Sequence, residues 1–275
     1  MKAVLRHAAR RPTAWIGAGC LLALLLMATL GPLVFARDPY AMDGLPLLWP
    51  AEDPAFPLGT DSMGRDLASG IVSGAGVSLL VGISSAAVSL LIGVTIGALA
   101  GYYRGYADVI LMRITELFQT IPSFVLAVVI VSLFSAKLST IIVSVGIVSW
   151  PPTARLVRAQ VLNLATRDFV LAARALGASD LRLLTRHVLP NALPPVIAVG
   201  TLSISNGILS AAGLSFLGLG DPQVLDWGSI IGEGREQLLD AWYICALPGL
   251  AMMMAVLGFN LLGDVLNDHW NPRLR

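Results

Sequence analysis

DFVLAARALGASDLRLLTRHVLPN, residues 168–191, is a polar, arginine-bearing stretch set between two long apolar runs. It reads as two short helices joined by Gly177. The first, over roughly 166–176, exposes Arg167 and Arg174 and groups Phe169, Val170, Ala172, Ala173 and Leu176 as a small apolar surface. Gly177 supplies the turn through the positive φ that glycine adopts at little cost. Ser179 or Asp180 is placed to cap the second helix, LRLLTRHVL. Pro190, Pro194 and Pro195 then mark the start of the next apolar run. A short helix lying parallel to a membrane suits docking into a groove on another protein, or resting on lipid. What the hairpin serves depends on its flanks.

Those flanks are poor in charge. Of 275 residues 56% are hydrophobic and 13% charged, with a mean hydropathy of +0.78. Average soluble domains carry about 25% charge. Charge-free intervals cover 12–36, 67–103, 117–136, 138–154, 187–220 and 241–263. A bilayer-spanning helix needs about 20 mostly apolar residues, so each interval is long enough, 138–154 at the lower limit. The expected fold is an all-α integral membrane protein of about six transmembrane helices. The first apolar run exceeds a signal-peptide core of about 7–15 residues, and no small-x-small cleavage site closes it, so it is expected to remain as a span. The interval 67–103 is too long for one span. Its Gly- and Ser-rich beginning, LASGIVSGAGVS, is expected to form an interfacial or re-entrant helix leading into a span over about 78–101.

Lys and Arg mark the cytoplasmic side. With six spans and the N-terminus inside, fourteen of the 18 basic residues fall inside, leaving Arg37, Arg65, Lys137 and Arg235 outside. The acids Asp38, Asp43, Glu52, Asp53, Asp61 and Asp66 gather in the first outer loop. The chain then divides into a cytoplasmic segment 1–11, a first span 12–36, an outer loop with its interfacial helix 37–77, a five-helix core 78–263 containing a cytoplasmic loop 155–190, and a cytoplasmic tail 264–275. The opening hairpin lies inside.

Within the spans the ionisable inventory limits function. No Asp, Glu, Lys, Arg or His sits mid-span; Glu116 and Asp264 lie at span ends. Proton-coupled carriers place a titratable group at membrane depth, so any uphill transport is expected to draw energy from another chain, with sodium coupling through backbone carbonyls left open. Gly93, Gly97 and Gly101 recur every four residues, a spacing that lets helices approach closely. Ser203, Asn206 and Ser210 share one face of the fifth span, while Gln119 and Thr120 follow Glu116, with a kink expected at Pro122. Two readings fit these polar residues: interhelical hydrogen bonding, or the lining of a translocation cavity. No G-x-x-x-x-G-K-[ST] is present, so no nucleotide site of that kind is expected. His7, His187 and His269 cannot meet a serine at membrane depth, which argues against an intramembrane hydrolase. Cys20 and Cys245 are expected as packing residues, without disulfide or metal.

The hairpin resembles the EAA loop of ATP-binding-cassette importer permeases, E-A-A-x-x-x-G-x₉-I-x-L-P. Ala172, Ala173, Gly177, Leu189 and Pro190 match; Leu171 stands at the Glu position and His187 at the Ile position. AARALGAS followed by RHVLPN looks like the dipeptide, oligopeptide and nickel branch. So do FPLGTDSMGRDL at 56–67, AGLSFLGLG followed by DWGSII within 212–231, and FNLLGDVLNDHWNPRLR at 259–275. The resemblance covers most of residues 12–275. It implies a type I importer permease in the bacterial cytoplasmic membrane. The chain would form half of a heterodimeric pathway with a related second permease, two cytosolic ATPases that bind ATP and Mg, and an external solute-binding protein. No cofactor or metal in this chain and no nucleic-acid partner are implied. Phe169, Ala172, Ala173, Arg174, Gly177, Ala178, Leu189 and Pro190 would form the ATPase contact, more apolar than usual because of Leu171, with Arg174 taking any polar role. Gly177→Pro or Ala173→Glu is expected to uncouple transport. Glu116, Gln119, Ser203, Asn206 and Ser210 are the candidate path residues. Di- or oligopeptides are the favoured cargo by this resemblance, with nickel or metal chelates and glutathione-like solutes as alternatives. An autonomous channel or secondary carrier is the alternative of another class.

Overall fold

The computed structural model describes residues 12–270. Four of its helices are long and apolar enough to cross a membrane, and six crossings result if each of two bent helix pairs counts as one. The segments 1–11 and 271–275 lie outside the described residues, and with them the expected positions of Lys2, Arg6, His7, Arg10, Arg11, Arg273 and Arg275.

Helix α1 spans Pro12–Thr29, and a short turn α2, Gly31–Val34, follows it. A folded loop leads to α3, Leu67–Tyr103. Asp66 caps α3, accepting from the amides of Ala68 and Ser69 at 3.2 and 3.3 Å. The helix runs unbroken for 37 residues, about 55 Å at 1.5 Å per residue. The separate interfacial helix expected over 67–77 is therefore absent. Gly70 and Gly74 do not break the helix; they make room for neighbours. A Cβ on them would lie 3.3 Å from Leu225 Cδ2 and 3.3 Å from Trp227 Cδ1 respectively.

The third and fourth crossings are both bent. Helices α4, Gly105–Thr120, and α5, Ser123–Leu133, meet at 83°. Pro122, which has no N–H to continue the ladder, stands at this break. Helices α6, Leu138–Ser149, and α7, Pro151–Leu164, meet at 45° across Trp150 and the Pro151–Pro152 pair. Arg155 and Arg158 thus sit inside α7 rather than in a loop. The Arg158 guanidinium holds the Asp108 carboxylate of α4 through Nη2 at 2.6 Å.

Helix α8, Asp168–Ala175, precedes a helical rod over residues 180–219. The rod comprises α9, Asp180–Arg182, a wide π turn at Leu183–Val188, and α10, Leu189–Leu214, and its last segment, Ser215–Leu219, is kinked at Gly218, where φ is +81°. The prolines stand at the entry to the fifth crossing, Pro190 in the first turn of α10 and Pro194 and Pro195 inside it, and the second hairpin helix runs into this crossing without a gap. The π turn absorbs the register change just before Pro190, with the Leu189 amide donating to the Leu184 carbonyl. Helix α11, Trp227–Gly234, and α12, Tyr243–Trp270, complete the chain.

Close packing follows glycine. A Cβ at Gly93, Gly97 or Gly101 of α3 would come within 2.4–2.9 Å of atoms of Trp150, Thr153, Ala154, Val157, Arg158 or Val161. The four-residue glycine spacing is thus the seam on which α7 lies. Gly17 meets Leu261, and Gly258 meets Cys20 and Leu21, so α1 runs antiparallel against α12.

Candidate functional site

The hairpin turn has a defined cap. Gly177 has φ +84°; the Ala178 amide donates to the Ala173 carbonyl at 3.2 Å and the Gly177 amide to the Arg174 carbonyl at 2.9 Å. This pair of bonds is the Schellman motif, and its left-handed position favours glycine. Ser179 stands at the cap of the next helix but its hydroxyl makes no capping bond. Asp180 is used elsewhere. It accepts from the Tyr102 hydroxyl at 2.7 Å, and the same hydroxyl accepts from Arg174 Nη2 at 3.1 Å. The hairpin is thereby tied to the last turn of α3. Arg174 is thus engaged within the fold, its side chain about half exposed.

The two faces of α8 differ. Val170 is fully buried in one apolar cluster with Tyr102, Val157, Val161, Leu183 and Leu184, and Ala173, Ala178 and Leu189 pack on the same cluster. Phe169, Leu171, Ala172 and Leu176 face outward; Phe169 is 44% and Leu176 88% exposed. Gly177 and Pro190 are exposed as well. The apolar surface expected from sequence is therefore two surfaces. Val170 and Ala173 anchor the helix, and Phe169, Ala172 and Leu176, spaced three and four apart, form the ridge it presents. Ala173→Glu would strike the anchor, not the ridge.

The second feature is a cavity of about 710 Å³ where both helix bends face α10. Gln119, Ser203, Asn206 and Ser210 line it, with Phe118, Ser123, Ser149 and Thr153. Glu116 does not; it is half-exposed and pairs with Arg113 at 2.9 Å. The neighbouring face of α10 makes the interhelical bond, from Ser205 Oγ to Asn260 Oδ1 at 2.9 Å. Ser123, Ser149 and Thr153 were not among the sequence candidates. The signal for them lies in IPS at 121–123 and SWPPT at 149–153, where proline beside a hydroxyl marks broken backbone. Broken helices at membrane depth occur where they line a cavity or are buried in protein. Phe118 meets the buried Trp150 edge-on at 5.3 Å, joining the two bends.

Cys20 and Cys245 are free and half-buried. Among the described residues no group of three or more His, Cys, Asp or Glu could hold a metal ion.

The family model of the binding-protein-dependent transport system inner membrane component matches residues 93–275. The chain belongs to this family. The di/tripeptide transport system permease protein DppC of Pseudomonas aeruginosa is 42% identical over 221 residues, covering 80% of this chain and 73% of that protein. The glutathione transport system permease protein GsiD of Pectobacterium atrosepticum is 41% identical over 219 residues, covering 79% and 73%. A putative peptide transport system permease protein of Brucella suis is 40% identical over 272 residues, covering 98% and 91%. Among solved structures, an inward-facing form of the MetNI methionine ABC transporter aligns with a TM-score of 0.58 at 20% identity, covering 70% of this chain and 93% of that one. That likeness shows the fold of a type I importer permease. The protein is thus a multi-pass inner-membrane permease of the ABC-importer type. It is not a catalyst, ATP hydrolysis in such systems belonging to separate ATPase subunits.

Proposed function

We propose that this permease is one half of an ATP-driven importer of di- and oligopeptides, paired with a related second permease. The observation that carries the reading is the outward ridge Phe169–Ala172–Leu176 on a helix pinned to α3 by Val170 and by the Tyr102–Arg174–Asp180 group. A helix presenting apolar side chains from a rigid mount suits the groove of a partner protein. On this reading a cytosolic ATPase seats on the ridge, and its movement passes to α3 without loss in a soft loop. The basic residues around the hairpin support a cytoplasmic position for it. The cavity at Gln119, Ser203, Asn206 and Ser210 is this chain's wall of the path, and the opposite end, with the loop before α3, faces the solute-binding protein. Peptide cargo is supported by the names borne by the DppC relatives and the Brucella protein.

The test is gentle purification of the tagged chain from native membranes, with mass spectrometry of its companions and uptake by the reconstituted assembly. A second permease and Walker-motif ATPases are expected, with the ATPases lost selectively in Ala172→Glu. Uptake of labelled dipeptide is expected to be outcompeted by other peptides rather than by glutathione. A chain that purifies alone and supports uptake without ATP would overturn the proposal.

A further inference from the structure

At the end of the molecule opposite the hairpin, the loop before α3 is fixed to the start of α12. The Tyr243 hydroxyl donates to the carbonyls of Leu48 and Thr60 at 2.7 and 3.3 Å. Thr60, fully buried, donates to the Leu45 carbonyl at 2.6 Å and accepts from the Leu48 amide at 3.0 Å. The Trp49 ring lies 5.2 Å from that of Tyr243 and meets Trp242 edge-on at 6.4 Å. Around this pair exposed apolar side chains gather, with Trp49 46%, Trp242 52%, Leu238 53% and Leu239 97% exposed, and the exposed carboxylates Glu52, Glu236 and Asp240 stand beside them. Exposed apolar side chains gathered on a rigid mount mark an interaction surface.

Two placements identify what covers it. Trp242 stands immediately before α12, on which Leu250, Met253 and Leu257 follow at intervals that return to one helical face, and all are exposed. Beside α12, α1 exposes Leu22, Leu25 and Leu26. The cluster is therefore continuous with the apolar flank of two membrane helices. The second placement is one of height. Gly17 lies against Leu261, and Cys20 and Leu21 against Gly258, so Trp15 stands level with residue 263 of the antiparallel α12. From there to Trp242 is about 31 Å along the helix at 1.5 Å per residue. The hydrocarbon core of a bilayer is about 30 Å thick. Tryptophan is enriched at both of its boundaries, where the ring meets acyl chains and the N–H meets headgroups.

We propose that Trp49, Trp242, Leu238 and Leu239 form an interfacial anchor lying in the headgroup layer, which seats the folded loop 36–66 on the lipid surface. Trp15 marks the opposite boundary. The bilayer is thereby fixed on α1 and α12 between two tryptophan levels, and the loop is held at a set height and tilt.

The test uses the full chain in phosphatidylcholine proteoliposomes, with Cys20→Ala and Cys245→Ser removing the native thiols. A nitroxide label on Leu239→Cys is compared with one on Asp43→Cys, at an exposed loop acid. Expected is that the label at 239 collides with oxygen in preference to a water-soluble nickel chelate, and that the label at 43 shows the reverse. In the chain without these cysteine changes, lipids brominated near the headgroup should quench tryptophan emission, and part of that quenching should be lost in Trp49→Phe/Trp242→Phe. Free access of the nickel chelate at 239 would place the cluster in water and overturn the anchor. Access of neither reagent would mean that a protein covers it, and would overturn it equally.

Discussion

Val170 and Phe169 are neighbours on α8 with opposite environments, and truncating each separates mounting from docking. Val170→Ala deletes two buried methyl groups, about 1.6 kcal/mol of transfer free energy at about 0.8 kcal/mol per carbon. The space left among Tyr102, Val157, Val161 and Leu183 adds about 0.5–1 kcal/mol, as partly relaxed cavities do. The total of about 2–2.5 kcal/mol is a 30- to 60-fold rise in local opening, because each 1.4 kcal/mol is tenfold. Phe169 is 44% exposed, and its truncation should change opening by less than about 1 kcal/mol, as surface changes do. Hydrogen exchange across residues 168–180 in lipid nanodiscs reads both. Val170→Ala should lose protection over the whole hairpin while retaining the ridge. Phe169→Ala should keep wild-type protection and lose ATP-driven uptake. Equal loosening by the two substitutions would refute the division of α8 into an anchor and a ridge.

Three further outcomes are expected. Gly97→Val places carbon 2.4 Å from the Ala154 carbonyl oxygen and 2.8 Å from Val157 Cβ, forcing α3 and α7 apart at about 1–3 kcal/mol. Its melting temperature in detergent should fall by several degrees, while Gly76→Ala, with nothing within 4 Å of the added carbon, should melt like the parent. Gly177→Ala meets no neighbour but must hold φ +84°, costing about 1 kcal/mol; Gly177→Pro also loses the bond to the Arg174 carbonyl, so uptake should fall in the order Gly, Ala, Pro with insertion unchanged. Burial raises the Asp226 carboxyl above the ordinary value, against the lowering effect of hydrogen bonds from Ser215, Ser229 and Gly228. Because the folded value is raised, its contribution to stability is full below the unfolded pKa and is lost as pH rises through the folded one. The melting difference between wild type and Asp226→Asn should therefore shift in favour of the wild type as pH falls toward the ordinary carboxylate range, and a pH-independent difference would refute it.

The hairpin was legible because its turn depends on one local requirement, a positive φ at Gly177. Which face of α8 points inward was not, because Tyr102 and Leu183 supply that answer from elements distant in sequence. The same limit applies to Asp180. Asp and Ser favour helix caps, but the Tyr102 hydroxyl offers Asp180 a tertiary partner that no local pattern predicts. The number of crossings followed from charge-free intervals, since desolvation of charge is set by composition alone. Helix breaks were only half legible. Pro122 gave the place of a bend but not its 83°, and two glycines of LASGIVSGAGVS, Gly70 and Gly74, were read as loosening when they are contact points under Leu225 and Trp227. Glycine in a membrane helix has two opposite uses, and only the partner shows which applies. Of the path candidates, those on α10 share the cavity because a single helical face is readable at 3.6-residue spacing. Glu116 lies one turn before Gln119 on the same helix, and only Gln119, nearer the break at Pro122, reaches the cavity.

The distribution of straight and broken helices bears directly on how motion at the hairpin reaches the cavity. Helix α3 is continuous over 37 residues, capped by Asp66 at one end and bonded through Tyr102 to Asp180 at the other. Trp227 is fastened near its first turns, with Nε1 on the Ile71 carbonyl at 2.9 Å and the amide on Ser78 Oγ at 3.2 Å. Nothing along it is built to bend, and the glycine seam keeps α7 against its second half. Both sharp bends, at Pro122 and at Trp150–Pro151, lie instead at the cavity wall and touch each other through Phe118 and Trp150. Hinges absorb large changes at few residues while packed helices move as bodies. On the proposed reading, a push on the Phe169–Leu176 ridge therefore moves α3 and the hairpin as one piece. On the same reading the conformational change would fall at the two bends, where Gln119, Ser123, Ser149 and Thr153 stand.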